Sequence, residues 1–255
     1  IEVEAEYCTS TVGKIVELIE EATEKKAKRD EEDFNRYFCA QLAKLGFVVF
    51  SVEYRLIPDT KIYGQIHDVS RAMDFVNKLA PSFDGDMSNI YMVGDSAGAL
   101  LIVYAMALQK NRRFARTANV KPSRLNVNAV AFISGMLYTT RFDRIGIFMA
   151  NSIWGDDFRN RGIRRFTDPG YRGIAKHMPP CFLISGESDP MLHHTQIFMD
   201  SLCEVDVEHE FCMFPAGNDL GHAFPVFNPD LRESRNAIRY IAEFFNRYRK
   251  GDVSE

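Results

Sequence analysis

The stretch IYMVGDSAG, residues 90–98, decides the fold prediction for this chain. Its first four residues are strand formers, and a continuous apolar run begins at Ala97 and continues to about Gln109. Such a run is typical of a buried helix. The sequence therefore predicts a strand, a glycine-bounded turn and a helix in immediate succession, with Ser96 at the centre of the turn.

Strands and helices alternate along the rest of the chain in the same way. The apolar segments with strand character are residues 47–53, 127–133, 181–185 and 207–213. The segments with helical spacing are residues 34–45, 67–79, 193–203 and 233–249. Residues 47–53 are nearly continuous in β-formers, which predicts a strand buried on both faces. The alternation predicts an α/β fold, with a mostly parallel sheet, helices on both faces and functional residues at the carboxyl ends of the strands.

Three further segments complete the predicted organisation, a single domain over residues 1–255. Residues 1–7 alternate apolar side chains with Glu, which is typical of an edge strand. Residues 14–30 begin with helical spacing and end in a charged run, which predicts an amphipathic helix whose membership of a cap is left open. Residues 138–178 are rich in Arg, Asp, Phe and Gly and lack a clear strand, so we expect a small cap inserted over the strand ends.

Composition and charge exclude several classes of protein. Hydrophobic residues make up 46% and charged residues 26%, as in ordinary globular proteins. The net charge of −4 argues against a nucleic acid or an anionic membrane as partner, and the longest apolar run, residues 97–108, is too short to span a bilayer. The first residues lack the pattern of a signal peptide, and without an initiator methionine we expect the true N-terminus to lie further upstream.

The cysteines and histidines predict neither a disulfide framework nor a metal site. The five cysteines are odd in number and lack C-x-x-C spacing, so we expect reduced, buried thiols and a cytoplasmic protein. Histidines, cysteines and carboxylates show no cluster with the spacing of metal ligands. No glycine-rich loop for phosphate binding is present either, and we expect no cofactor.

Ser96 has the setting of a nucleophile. A G-x-S-x-G turn between a strand and a helix is a nucleophile elbow, which holds the serine hydroxyl above the sheet. We expect both glycines, Gly94 and Gly98, to be required because neighbouring backbone leaves no room for side chains. The amide of Ala97 at the helix N-terminus is expected to face an oxyanion, with Asp95 and Gly98 beside the substrate.

A serine nucleophile needs a base to take its proton and an acid to fix the tautomer of that base. In elbow enzymes these partners follow in the order serine, acid, histidine. Asp189, in SGESDP after the strand 181–185, and His222, in DLGHAF after the strand 207–213, match that order. Glu187 is the rival acid. The rival bases are the other histidines, His67, His177, His193, His194 and His209.

With these residues assembled, the chain resembles the hormone-sensitive-lipase-like esterases of the α/β-hydrolase fold from about residue 34 to residue 249. The resemblance rests on ordered motifs: VEYRL at 52–56 with Pro58, HDV at 67–69, GDSAG at 94–98, GESDP at 186–190 and GHAF at 221–224. It implies that Ser96, Asp189 and His222 form a catalytic triad. It also implies small carboxylic esters with short to medium acyl chains as substrates; a homodimer is left open.

One family motif has no counterpart. Family members carry a His-Gly-Gly-Gly motif after a central strand, which supplies oxyanion amides, whereas residues 20–32 contain no glycine and no apolar strand. That absence would leave a gap between the strands at 47–53 and 90–94. Either the sequence lacks a segment near residues 24–31, or the protein has lost the motif and most of its activity. A serine carboxylesterase is therefore weighed against a catalytically weak small-molecule-binding pseudoenzyme or receptor-like protein, and against peptide or lactone hydrolysis by the same triad.

Overall fold

The computed structural model describes residues 31–160, 162–217 and 220–251. In this part of the chain, four parallel strands form one sheet in the order β1-β2-β3-β4. The strands are β1 (Tyr91–Asp95), β2 (Ala129–Ile133), β3 (Cys181–Gly186) and β4 (His209–Phe214). All four coincide with predicted strands to within two residues at either end. The parallel register brings the carboxyl ends of the four strands to one edge of the sheet.

Helices connect and cover the strands. The helices are α1 (Glu31–Lys44), α2 (Ile62–Leu79), α3 (Ser96–Lys110), α4 (Arg112–Ala118), α5 (Arg144–Trp154), α6 (Arg172–Ala175), α7 (Leu192–Cys203), α8 (Phe224–Phe227) and α9 (Arg232–Arg247). Short 3-10 turns cover Ala80–Phe83, Asp156–Arg159 and Arg164–Thr167. The helices predicted within the described residues are confirmed. One of them, α2, begins a turn earlier than expected, because Ile62 extends the buried stripe formed by Ile66, Val69 and Met73.

Both faces of the sheet are covered, as predicted for this fold class. Alternate residues of β2 divide between two apolar clusters, since successive side chains of a strand point to opposite faces. Val130 and Phe132 pack in the cluster that contains α3, while Ala129, Ala131 and Ile133 pack in the cluster that contains α1 and α9. Because α3 is buried almost all round, it is the central helix of its layer, and it carries Ser96 at its first turn.

Residues 47–53 do not form the predicted strand; the prediction was wrong. No strand is assigned there, Val48 is 40% exposed, and the side chains of this segment are half-buried or exposed. Within the described residues β1 pairs with β2 alone, so no strand lies between β1 and this segment. A strand needs the backbone of a neighbour for its hydrogen bonds, and β-forming side chains do not replace that neighbour.

The predicted cap segment, residues 138–178, contains α5, two 3-10 turns and α6, and no strand among its described residues. Trp154, at the end of α5, is buried edge-on against the rings of Tyr63 and Tyr104. Its indole Nε1–H donates to Thr139 Oγ1 at 2.9 Å. The segment thus shares the core of the α3 layer; its action as a cap stays a prediction.

The remaining predictions concern the N-terminal segments, the cysteines and a membrane span. The predicted edge strand over residues 1–7 and helix over residues 14–30 lie outside the described residues. Of the four cysteines in the described ranges, Cys181 is buried as expected, whereas Cys39 and Cys212 are half-buried and Cys203 is exposed. In the same ranges, no helix has both the length and the apolar character that a membrane crossing requires.

Candidate active site

The turn between β1 and α3 has the strained geometry that the sequence predicts. Ser96 has φ +47°, in the left-handed region that residues with a side chain rarely adopt. A Cβ atom at Gly94 would lie 2.7 Å from the backbone carbon of Gly98, so glycine is required at position 94. The expectation for Gly98 itself was wrong, since a Cβ there would meet no described atom within 4 Å. The close approach therefore constrains one glycine of the pair.

Three side chains predicted to act together form one hydrogen-bonded chain. His222 Nε2 lies 2.9 Å from Ser96 Oγ, and His222 Nδ1 lies 3.0 Å from Asp189 Oδ1. A carboxylate accepts hydrogen bonds only, so Nδ1 carries the proton and Nε2 is left to accept from the serine hydroxyl. The Asp189 side chain is fully buried, whereas 32% of the His222 side chain is exposed. This arrangement can draw a proton from Ser96 and hold it on the imidazole.

The sheet explains why residues so distant in sequence meet. Ser96 follows β1, Asp189 lies in the loop after β3, and His222 lies in the loop after β4. All three strands are parallel, so their carboxyl ends share an edge. His222 is followed by Ala223, which has φ +49° and is the N-cap of α8. This turn ends the loop that carries His222, and the imidazole is held by its hydrogen bonds to Ser96 and Asp189.

Asp189 is held by more partners than the sequence indicates. Ser185 Oγ donates to its Oδ2 at 3.0 Å, and the Met191 amide donates to its Oδ1 at 2.8 Å. Burial raises the pKa of the Asp189 carboxyl, but hydrogen bonds from His222, Ser134 and Met191 outweigh it, and the pKa lies below its ordinary value. The carboxylate is therefore ionised at neutral pH and available to accept the Nδ1 proton.

Sequence reasoning missed Ser134 as well as Ser185. Ser134 follows β2, is completely buried and has φ +52°. Its Oγ accepts a hydrogen bond from the Ala223 amide at 2.9 Å, and its hydroxyl helps to lower the pKa of the Asp189 carboxyl. Ser134 thus joins the acid to the residue that follows His222. A serine next to the carboxyl end of an otherwise apolar strand was the available signal, and Ser185 in β3 shows it too.

The rivals for the acid and base roles have other partners. Glu187 Oε2 accepts from the Ala216 amide at 2.7 Å, so this carboxylate supports the loop after β4. His209 Nδ1 bonds the Val207 carbonyl at 2.8 Å, and His67 lies 3.9 Å from Asp68. None of these contacts involves Ser96. Among the described histidines, the hydrogen bond to Ser96 belongs to His222.

Two further histidines form a cluster that the sequence did not predict. Asp143, His193 and His194 each offer a potential ligand atom, and these atoms lie within 4.8 Å of one another. However, His194 Nδ1 accepts a hydrogen bond from the Tyr138 amide at 3.3 Å, so the ring proton is on Nε2, which lies 3.2 Å from Asp143 Oδ2. A metal-bound neutral histidine donates from its second nitrogen. Since that nitrogen is an acceptor here, the arrangement fits a hydrogen-bonded link better than a metal centre.

The amides in the first turn of α3 are the described groups that we expect to face an oxyanion. Ala97 is the second residue of this helix, and the first four amides of a helix have no partner within it. The Met136 amide donates to the Ser96 carbonyl at 3.0 Å, which fixes the turn from the side of β2. Asp95 ends β1 in an extended conformation and is the N-cap of α3. Residues 20–30, part of the segment that replaces the glycine motif, lie outside the described residues.

Solved structures similar to this chain are esterases. Esterase B from Lactobacillus rhamnosis is 21% identical with a TM-score of 0.76, over 87% of this chain and 72% of the other. A hyperthermophilic esterase from Pyrobaculum calidifontis is 22% identical with a TM-score of 0.64, over 86% and 72%. Esterase LipW from Mycobacterium marinum is 19% identical with a TM-score of 0.66, over 87% and 69%.

These likenesses establish the α/β-hydrolase fold. A family match carries the classification further. Residues 15–199 match the BD-FAE family, which covers well over half of the chain and includes both Ser96 and Asp189. The chain therefore belongs to BD-FAE, a family of α/β-hydrolase esterases.

Proposed function

We propose that this protein is a serine carboxylesterase. Ser96 Oγ attacks the ester carbonyl carbon while His222 Nε2 takes the hydroxyl proton, and the tetrahedral oxyanion faces the Ala97 amide. His222 then gives its proton to the alkoxy oxygen, the C–O bond breaks, and the alcohol leaves an acyl group on Ser96. Water attacks that acyl carbon as His222 takes its proton, and the proton returns to Ser96 Oγ when the carboxylic acid leaves.

The observation that carries this proposal is the pair of hydrogen bonds made by His222. One ring nitrogen is 2.9 Å from Ser96 Oγ and the other is 3.0 Å from Asp189 Oδ1. Both distances are within hydrogen-bond reach, which a general base and its orienting acid need. Membership of an esterase family supports an ester as the substrate.

We propose carboxylic esters with short acyl chains as the substrates. Esterase B from Lactobacillus rhamnosis has been crystallised inhibited by a tributyrin phosphonate, a compound with four-carbon acyl chains. This chain shares the fold of that enzyme at 22% identity. On that basis p-nitrophenyl butyrate is a suitable first substrate for this protein.

The test compares variants of the nucleophile, the acid and the rival acid. With p-nitrophenyl butyrate we expect kcat to fall by about 10⁶-fold in Ser96→Ala, which removes the nucleophile, and by about 10⁴-fold in Asp189→Asn, because Asn holds the imidazole in the wrong tautomer. Glu187→Gln is the matched control, since Gln can still accept from the Ala216 amide, and its kcat should stay within about twofold.

A fluorophosphonate probe checks the covalent step independently. We expect it to label Ser96 in the parent protein and to label neither Ser96→Ala nor any other serine. A folded protein that stays unlabelled while a control esterase reacts would contradict the proposal. Equal losses in Asp189→Asn and Glu187→Gln would contradict the role of Asp189.

A further inference from the structure

A cavity lies at the other end of α3 from Ser96. Its volume is about 490 Å³, within the range of roughly 300–1,000 Å³ that small-ligand sites occupy. The lining residues come from the end of α3, the start of α4, the second 3-10 turn of the cap segment, and α6 with the residues that flank it. At 1.5 Å per residue, the length of α3 separates this cavity from Ser96 by about 20 Å.

The cavity wall is strongly basic. The lining includes the long cationic side chains Lys110, Arg112, Arg113, Arg165 and Lys176, and no Asp or Glu. The ion pairs found among the described residues involve none of these five. The chain as a whole carries a net charge of −4, so this surplus is local. A concave group of like charges concentrates counter-ions, which makes the cavity attractive to anions.

The walls of the cavity are braced by one side chain. Asn111 Nδ2 donates to the Gly173 carbonyl at 2.7 Å, which joins the α3–α4 corner to α6. Asn111 Oδ1 accepts from the amides of Arg113 and Phe114 at 3.1 and 3.0 Å. All the hydrogen bonds of this side chain are therefore internal, and the two walls are held at a fixed separation.

Aromatic rings line the apolar part of the cavity. Phe166 is buried, lies 5.1 Å from the ring of Phe114, and contacts Tyr171 at 6.1 Å, edge to face. The Arg165 guanidinium lies 5.7 Å from the Phe166 ring centre, which orients that cation over the aromatic surface. The cavity thus combines a packed apolar base with a cationic rim.

His177 is a half-buried member of the cavity wall. Burial, together with the ammonium groups of Lys176 and Lys110, lowers the pKa of His177 below its ordinary value of 6.5. The imidazole is accordingly neutral at physiological pH and offers one donor and one acceptor.

We propose that this cavity binds a small molecule that carries several phosphate groups. A guanidinium group can donate two parallel hydrogen bonds to the oxygens of one phosphate, and three of the five cations are arginines. Several cations around one small volume suit a ligand with concentrated charge, which phosphate groups supply. The site is separate from Ser96, Asp189 and His222, so it does not depend on the proposed esterase activity.

Isothermal titration calorimetry with inorganic triphosphate tests this proposal on the full chain. We expect saturable one-to-one binding, weakened at least about tenfold in the double variant Arg113→Gln/Lys176→Gln. The matched control is Arg71→Gln/Lys78→Gln, which removes the same charge from exposed positions on α2. Its affinity should change by less than about twofold, since a distant surface charge is screened by salt.

Three other ligands test which chemical groups the cavity recognises. ATP should bind at least as tightly as triphosphate if the aromatic base contributes, while adenosine alone should not bind. Tighter binding of citrate than of triphosphate would overturn the assignment to phosphate. Absence of saturable triphosphate binding, or an equal loss in both double variants, would overturn the site itself. Circular dichroism spectra that match the parent protein establish that each variant is folded.

Discussion

Ser134 shows how a single buried hydroxyl can position two partners of a proton relay. Its backbone adopts φ +52°, a left-handed conformation that costs an ordinary residue roughly 1–2 kcal/mol. In that conformation Oγ accepts from the Ala223 amide at 2.9 Å, and the hydroxyl helps to lower the pKa of the Asp189 carboxyl. The hydrogen bond offsets the strain, because the Ala223 amide would otherwise be buried without this partner. Ser134 thus couples the loop after β3 to the loop after β4.

Ser134→Ala should lower kcat for p-nitrophenyl butyrate by about 10- to 100-fold with little change in KM, because the loss affects the alignment of His222 and not substrate binding. Ser185→Ala is the comparison: it removes one hydrogen bond to Asp189 Oδ2 but leaves the Ala223 amide paired. Its kcat should fall less. A positioning role would be contradicted by an equal fall of kcat in the two variants. It would also be contradicted if Ser134→Ala mainly raised KM.

Among the elements, the strand–turn–helix unit from β1 to α3 was the most predictable, because its pattern is local. The strand residues, the glycine turn and the apolar helix follow one another directly in the sequence, and each favours its structure without distant partners. Residues 47–53 illustrate the opposite case. Their β-forming side chains resemble those of β2, yet β2 has strands on both sides, while this segment has none among the described residues. Strand pairing is non-local, so a β-forming composition alone did not decide it.

Alanine substitutions at the two glycines of the β1–α3 turn, Gly94 and Gly98, should change the free energy of unfolding differently. Gly94→Ala should lower the free energy of unfolding by about 1–3 kcal/mol, since its Cβ would lie 2.7 Å from Gly98 backbone and 2.8 Å from Ile102 Cδ1. Gly98→Ala should be neutral or stabilising by up to about 1 kcal/mol, because Gly98 lies within α3 and its Cβ meets open space.

Urea unfolding followed by circular dichroism measures both glycine variants under the same conditions. The contrast between them isolates the close approach in the turn, because both exchanges add a single methyl group. Similar destabilisation of both variants would mean that the turn needs two glycines, as the sequence alone suggested. A stable Gly94→Ala variant would contradict the observed geometry of the elbow.

At the scale of the whole molecule, tertiary links decide features that no local pattern could predict. The acid was recognisable from its loop, but the choice of Asp189 over Glu187 depends on which carboxylate reaches His222 in three dimensions. The same holds for His194, which lies on α7 and bonds both the Tyr138 amide and Asp143. Asp143 in turn accepts from the Gly146 amide as the N-cap of α5. One buried imidazole therefore ties the cap segment to the layer beside β3.

This link makes stability depend on pH in a defined direction. Burial, opposed in part by the Asp143 carboxylate, lowers the pKa of His194 below 6.5, and a proton on Nδ1 would break the hydrogen bond from the Tyr138 amide. The unfolded chain therefore binds a proton at His194 more readily than the folded chain does. The contribution of His194 to stability is complete above pH 6.5 and is lost as the pH falls from 6.5 towards the lowered pKa.

We expect the urea concentration at the unfolding midpoint of the parent protein to decrease as the pH is lowered from 7.5 to 5.5. The decrease should be smaller in His194→Asn, whose amide oxygen can still accept from the Tyr138 amide. Some slope should remain because the pKa of His177 is also lowered. Carboxylates such as Asp189 have pKa values below 3.8, so their titration lies outside this window. His193→Asn is the comparison: it leaves the Tyr138 hydrogen bond in place but removes one of the groups that lower the pKa of His194, so the slope should change less than in His194→Asn. A slope that changes in His193→Asn but not in His194→Asn would refute the link.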